Sequence, residues 1–397
     1  MNALRLVEFE RFGKADLKHE LYVCNRCGFC RSVCPVYAVE RWEGSTPRGR
    51  IYFTKKLVEG KIKEIHPKYV ERVFQCAFCG QCDEVCQLDI DHVLLWRAMR
   101  AELGRRGLWP QSIEALRRSL EVEKNVFNVE NSERNNWSWD VEDAVLSKFN
   151  KGARVAYFVG CVSSLSARMS DIPVSMVRIM DAAGVDYTLL GQDEWCCGDP
   201  LLLCILEPRG YQLADQLVNH NLERLHKLGV ETLIASCAGC YRAFKKEYPD
   251  INKEISEFEV LHTSEFIERL IDSGKLRLTK KIENIATYHD PCELGRHSGV
   301  YEPPRKVLEN IPGLKLNELI KSRGNCRCCG GGGLMEATNP QLAIKIAHNK
   351  LDEASEVGAD VITSCCPACK MNLLNAITER ERGMEVLDVA EVVASVL

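Results

Sequence analysis

The chain has 397 residues, 46% of them hydrophobic, with 52 lysines and arginines against 56 aspartates and glutamates and a net charge of −4. Such a length calls for two or three domains with true cores, and the balanced charge argues against nucleic acid, which wants a basic face. The opening residues, Met1 to Glu10, lack the apolar core of a secretion signal, and the longest apolar runs, such as Val155 to Val162, are about half a membrane span. The expectation is a cytoplasmic chain with no transmembrane segment of its own, peripheral to a membrane only through a partner.

Twenty-one cysteines then need a role other than disulfides, because a reducing compartment keeps thiols free. Taken in chain order, the first eight form two runs. Cys24-Asn25-Arg26-Cys27-Gly28-Phe29-Cys30-Arg31-Ser32-Val33-Cys34-Pro35 fits C-x2-C-x2-C-x3-C-P, and Cys76-Ala77-Phe78-Cys79-Gly80-Gln81-Cys82-Asp83-Glu84-Val85-Cys86 repeats it without the proline. This is the bacterial two-cluster ferredoxin signature, in which three close cysteines wrap one [4Fe–4S] cubane and the fourth reaches the other. The expected ligand sets are Cys24, Cys27, Cys30 and Cys86 on one cluster, and Cys76, Cys79, Cys82 and Cys34 on the other. Zinc is the competing reading, but a tetrahedral site built from Cys-x-x-Cys pairs leaves the remaining cysteines of each run without a role. The gap between the runs, filled by a helical stretch from Arg50 to Glu64, points to the α-helical form of this module. Gly28 and Gly80 sit beside ligands, either to let backbone approach sulfur or simply to make a turn.

Residues 87 to 160 hold no cysteine. Leu94 to Leu103 and Ser112 to Val122 have helical apolar spacing, and the polar, Asn-rich Asn125 to Asp140 reads as a linker or surface excursion. The expected units are 1–110, a linker over 111–152, and two further domains over 153–280 and 281–397.

Those last two units look like a duplication. The first carries Cys161, Cys196, Cys197, Cys237 and Cys240, and the second carries Cys292, Cys328, Cys329, Cys366 and Cys369. Cys161, Cys196 and Cys237 recur 131, 132 and 129 residues later as Cys292, Cys328 and Cys366. In each, a β-type run such as Thr232 to Ala235 or Val361 to Ser364 leads into the Cys-x-x-Cys, and a helical pattern follows. Strand, turn, helix is an α/β unit with a mostly parallel sheet, and a helix N-terminus favours the thiolate form that binds metal. Five thiols exceed a simple four-cysteine site, and adjacent cysteines are expected to point apart, so a larger or irregular metal–sulfur assembly is indicated.

The pattern C-x(30–40)-C-C-G-x(30–40)-C-x-x-C, present twice, resembles the cysteine-rich CCG domain. The order of a ferredoxin module and two CCG domains on one chain resembles the D-type subunits of heterodisulfide reductases, with kinship to iron–sulfur subunits of glycolate and lactate oxidases. Thr46-Pro47-Arg48-Gly49-Arg50-Ile51, His289-Asp290-Pro291-Cys292 and Gly295-Arg296-His297 are also similar to that family. Glu293 departs from it, since relatives often have histidine there. The resemblance implies an α+β multidomain chain: an α-helical ferredoxin-like N-terminal domain followed by two tandem α/β CCG domains. It implies one or two non-cubane [4Fe–4S] clusters, each on five cysteines, besides the two cubanes. The ten CCG cysteines then form the catalytic site.

Two functions stay open on this reading. One is a reductase subunit that cleaves a disulfide, of the coenzyme M–coenzyme B type. The other is an electron-transfer subunit linking a flavoprotein 2-hydroxyacid dehydrogenase to quinone or a membrane cytochrome b. The relay needs an external flavoprotein, since no flavin fingerprint is present, and the expected partner in either case is an electron-donor or acceptor subunit, a flavoprotein or a membrane cytochrome b.

Several other residues carry alternatives. Gly330 to Gly333 lacks the Lys-Ser/Thr of a phosphate loop and is better read as backbone approaching a cluster. His289, Asp290 and Asp199 are either proton donors or turn-capping polar groups. Arg48 and Arg50 are read as anchors of the inter-cluster loop. Cys204, Cys326 and Cys365 exceed the ligand count, and Cys365 is a substitute for Cys366.

Overall fold

The computed structural model describes residues 17–204, 208–380 and 383–397. The reading of Met1 to Glu10 falls outside these residues, as does the side chain of Cys204.

Residues 17–105 are helical. Short helices Phe29–Val33 and Gln81–Glu84 follow the first cysteines of each ferredoxin run, and longer ones, Pro47–Val58, Pro67–Phe74 and His92–Arg105, frame them. Pro35, Pro47 and Pro67 each open a helix, where the missing N–H costs nothing and φ is preset. The helix expected over 50–64 runs over Pro47–Val58 instead. Thr46 caps it by accepting the Gly49 N–H at 3.0 Å, and Gly60, at φ +68°, lies just past its end. Trp96 is fully buried at the centre of the module, with the Arg50 guanidinium 5.7 Å above its ring.

The remainder holds two parallel sheets of identical strand order. In the first, β1 (Val155–Phe158), β2 (Tyr187–Leu189), β3 (Thr232–Ala235) and β4 (Glu259–His262) lie as β2-β1-β3-β4. In the second, β5 (Ile285–His289), β6 (Lys315–Leu316), β7 (Val361–Ser364) and β8 (Glu385–Asp388) lie as β6-β5-β7-β8. Central strands are buried along nearly their whole length, because helices cover both faces of a parallel sheet. The last strand of each sheet leads into a capping box, His262 with Glu265 and Asp388 with Glu391. The fold is therefore an all-helical module followed by two repeated α/β domains.

The segment read as a linker is folded. Helix Gln111–Val122 buries Ile113 and Leu120, and Asn131–Val141 winds as a 3-10 helix with Arg134, Trp137 and Ser138 buried. Its asparagines misled by composition. The buried Asn125 donates to the carbonyls of Glu123 and Val129 and accepts from the Phe127 N–H, closing a tight turn.

Polar clamps hold the helical module against the second half. Arg296 donates to the Cys79 carbonyl at 2.6 Å, and a His297 ring nitrogen lies 2.8 Å from the Phe78 carbonyl. Arg100 spans Cys76 and Gly333 by donating to both carbonyls at 2.7 Å. At Gly332 a β-carbon would stand 2.7 Å from the Ala77 carbonyl oxygen, and at Gly333 2.3 Å from that of Cys76. The glycine run is thus a close backbone contact between the helical module and the second half. A buried ionic chain, Arg97–Glu247–Arg242–Glu293, joins the helical module to both halves. Helix Asp171–Ala182 of the first half packs on Val389–Ser395 of the second.

Candidate metal–sulfur centre

Cys24, Cys27, Cys30 and Cys86 line one small cavity of the helical module, and Cys34, Cys76, Cys79 and Cys82 line another. Each group is three consecutive motif cysteines plus the last cysteine of the other run. Gly28 and Gly80 adopt φ of +92° and +70° at the turns into the short helices, a conformation other residues resist. Cys27 is exposed, whereas Cys34, Cys79 and Cys82 are buried, so the first group lies nearer the surface.

The second cavity fits a sulfur-rich inorganic group on a further ground. Arg50 lines it, is 1% exposed, and leaves Nε and one terminal nitrogen without acceptors. A buried guanidinium left unsatisfied is costly, and cluster sulfur would accept from it. Arg48 ties the loop down by pairing with Glu43 at 2.7 Å and donating to the Arg26 carbonyl at 3.1 Å.

The ten CCG cysteines form two sets with the same internal order. In the first, sulfur contacts link Cys161 to Cys196, Cys196 to Cys197, Cys197 to Cys240 and Cys240 to Cys237. In the second, they link Cys292 to Cys328, Cys328 to Cys329, Cys329 to Cys369 and Cys369 to Cys366. Adjacent cysteines do not point apart as expected. The glycines that follow them, Gly198 and Gly330, take φ of +84° and +90°, and this turn gathers both sulfurs into one set. Gly330 and Gly331 donate backbone N–H to Cys328 and Cys329 sulfur at 3.3 and 3.5 Å.

Nine of these ten cysteines line a single cavity between the two halves, which offers about 280 Å³ to the centres of water-sized molecules. Cys237 touches Cys366 across it. Its other walls are apolar, from Leu116, Val126, Phe127 and Met371, or acidic, from Asp199, Glu293 and Glu336. Among the described residues no basic side chain lines it.

Electrostatics differ between the sets. Arg134, from the segment before β1, donates to Cys161 sulfur at 3.0 Å and pairs with the buried Glu194 at 2.8 Å. Glu194 also accepts the Val159 and Gly160 N–H groups at 2.8 Å, fixing the turn into Cys161. In the second set a ring nitrogen of His289 lies within 4.8 Å of Cys329 and Cys369 sulfur. Burial lowers the affinity of His289 for a proton, but the thiols of Cys326 and Cys329 outweigh it and push its pKa up to about 10. Glu336 is pushed up to about 8, mainly by burial and further by Cys329 and Cys366, and its Oε1 has no partner.

The ambiguous residues separate. Asp290 is structural, bound by Arg305 at 2.7 and 2.9 Å and by the Arg323 N–H at 2.8 Å. Asp199 lines the cavity, 3.9 Å from Arg242. Glu293 bridges the halves, 3.3 Å from Arg242. Cys366 lines the cavity, while Cys365 turns away toward Tyr288 and Ser264. Cys326 lies outside both sets, beside His289 and Lys350. Sequence reasoning missed Arg134, Arg242 and Glu336. Arg134 and Glu336 come from stretches without cysteines, and Arg242, although on the helix of Cys240, has its ionic partners Glu247 and Glu293 outside any motif, so only the fold shows their roles.

Comparison with known proteins agrees with this arrangement. Residues 20–90 match the 4Fe-4S dicluster domain family, and residues 155–245 and 286–374 match the cysteine-rich CCG domain. The chain is 35% identical over 393 residues to the D-type subunit of the dihydromethanophenazine:CoB–CoM heterodisulfide reductase of Methanosarcina acetivorans, spanning 95% of this chain and 94% of that protein. It is 29% identical to a subunit of the fumarate reductase (CoM/CoB) of Methanothermobacter marburgensis, over 92% of this chain and 72% of that one. It is 28% identical to the EtfAB:quinone oxidoreductase of Syntrophomonas wolfei, over 96% of this chain and 59% of that one. Among the described residues no helix is long and apolar enough to cross a membrane. With [4Fe–4S] chemistry marked by both domain types and the same order matched along almost all its length, the chain belongs to the family of iron–sulfur oxidoreductase subunits typified by the D-type subunits of heterodisulfide reductases.

Proposed function

We propose that this protein carries electrons singly from a partner protein through the two ferredoxin-type sites to the paired CCG sites, where a disulfide is reduced in the cavity between them. The observation that carries this reading is the single cavity into which both CCG sets face. The working units are residues 1–110, 153–280 and 281–397, with 111–152 between the first two. Cys24, Cys27, Cys30 and Cys86 hold one cubane, and Cys76, Cys79, Cys82 and Cys34 hold the other. The two CCG sets hold a non-cubane [4Fe–4S] cluster each. Bound clusters supply one-electron redox chemistry.

Cleaving a disulfide to two thiols consumes two electrons and two protons, so paired CCG sites suit a two-electron task. Glu336 holds a proton at neutral pH and faces the cavity, which suits it to protonate a departing thiolate. Apolar walls exclude water and seat a substrate arm. With Glu336 holding its proton and Arg242 facing Asp199 and Glu293, the lining carries no uncompensated charge, which favours a disulfide whose adjacent atoms are uncharged.

A second reading is a relay between a flavoprotein and quinone or a membrane cytochrome b. Similarity over 96% of the chain to the EtfAB:quinone oxidoreductase favours it. The test uses the full chain, purified without oxygen. Roughly sixteen iron per chain is expected for four [4Fe–4S] sites. Oxidation of reduced viologen by one of a panel of disulfides supports the reductase. If no disulfide is turned over while a reduced flavoprotein loads the sites, the relay stands instead.

A further inference from the structure

The two CCG halves share strand order and cysteine order but differ three residues before the first cysteine of each set. The first half has Phe158 there, packed edge-on against Phe244 at 4.9 Å. The second has His289, at the end of β5, 1% exposed. Duplication alone would keep one residue type at both places, so the histidine needs its own account.

Its surroundings give one. Nδ1 lies 3.5 Å from Cys326 sulfur. That sulfur also lies 3.6 Å from Nζ of Lys350, whose side chain is fully buried. An ammonium has only donors, so Cys326 sulfur accepts from it, and accepts from Nδ1–H in the same way. In the metal-free chain the neighbouring thiols hold a proton on the ring, and only when Nε2 gives its proton up does it present a lone pair. Nε2 is buried, meets no oxygen or nitrogen acceptor among the described residues, and has the Cys329 sulfur as its neighbour. The ring nitrogen nearest the cysteines lies within 4.8 Å of Cys329 and Cys369 sulfur, so one nitrogen and two thiols converge.

Histidines that bind metal are held this way, the far nitrogen donating to an anion or carbonyl that fixes ring and tautomer. Here Cys326, steadied by Lys350, takes the place of the usual carboxylate. That also gives a use to a cysteine outside both sets. We propose that His289 Nε2 is a ligand to iron held by the second CCG set, a nitrogen ligand that the first set lacks. Thiolates attract a cation to this lone pair, and a metal ion and a proton compete for the same position.

The assignment rests on the second set holding iron, and the experiment separates the two claims. The full chain is prepared without oxygen with and without 15N-histidine, its iron and sulfide are counted, and pulsed EPR is recorded on its non-cubane signals. One of those signals is expected to carry a nitrogen coupling of the strength of a bound ligand, and this coupling should change with the isotope. His289→Phe, which copies Phe158, should remove the coupling and leave the cubane signals unchanged. Cys326→Ala should weaken or redistribute it while iron is retained. Full iron occupancy with no histidine coupling, or with only the weak coupling of a hydrogen-bonded ring, overturns the ligand and leaves the iron reading intact. An iron count that finds the second set empty overturns both. The labelled wild-type spectrum decides the matter even if the variant does not fold.

Discussion

The sulfurs of Cys79 and Cys328 meet across the boundary between the helical module and the second CCG half. Cys328, and beyond it Arg296, hold the Cys79 thiol below its ordinary range despite its burial. The halves therefore have unequal access to the module. The second set touches it directly, and the first is reached through the contact of Cys237 with Cys366.

This asymmetry can be tested by removing one sulfur at a time. Cys329→Ala and Cys197→Ala should each lose roughly four iron and one non-cubane signal, with both ferredoxin-type signals retained. Rapid-mixing reduction should then separate them. Cys329→Ala leaves the first set slow to reduce, whereas Cys197→Ala leaves the second set as fast as in the native chain.

Gly333→Ala should loosen the junction. Its β-carbon would meet the Cys76 carbonyl oxygen at 2.3 Å, at a φ of +62° that alanine resists. Iron content should be close to native, while electron transfer from the cubanes to the CCG signals slows at least tenfold, about 1.4 kcal/mol on the barrier. Freeze-quench EPR reads both.

Arg50→Met should shift one cubane selectively. The guanidinium lines the Cys34, Cys76, Cys79 and Cys82 cavity with unpaired N–H groups, and a cation there stabilises the reduced, more negative cluster. Losing a charge-assisted hydrogen bond of ~1.5–3 kcal/mol corresponds to a potential roughly 65–130 mV lower for a one-electron couple. Redox titration followed by EPR should show the other cubane unmoved.

Glu336→Gln should leave every cluster signal in place and lower disulfide turnover by 10²-fold or more, on the order expected for a lost general acid. The native carboxyl holds its proton below about 8 and loses it above. Native turnover should therefore fall as pH rises through about 8, and the variant should lack that limb. A variant that keeps both full rate and the limb would remove Glu336 from the mechanism.

Arg305→Leu should destabilise the second half strongly. It leaves Asp290, 3% exposed, as a buried carboxylate without its main partner, a change that costs about 3–5 kcal/mol. The double variant with Asp290→Asn should recover part of that loss in anaerobic denaturant titrations.

Much of this arrangement is legible in the cysteines, because thiols that share a metal site must recur at spacings a strand and helix can close. The eight ferredoxin-type cysteines sort into the two expected groups, and the repeat of Cys161, Cys196 and Cys237 announces the second sheet. What stayed hidden is polar and long-range. Arg134 sits in an asparagine-rich stretch that reads as a spacer, yet it donates to Cys161 sulfur. Asn125 looks like a loop residue because its amide binds backbone, and that same bonding buries it. Glu336 follows the glycine run, with no pattern to link it to Cys329 or Cys366.

Both sets receive a backbone amide after the cysteine pair, from Gly198 on Cys196 and from Gly330 on Cys328, but the Arg134 guanidinium on Cys161 has no counterpart on Cys292 among the described hydrogen bonds. A pocket born of gene duplication has thereby lost its mirror-like equivalence. A reactant with two unlike ends would be sorted head from tail on arrival, and reversing it would put each end against the wrong partner.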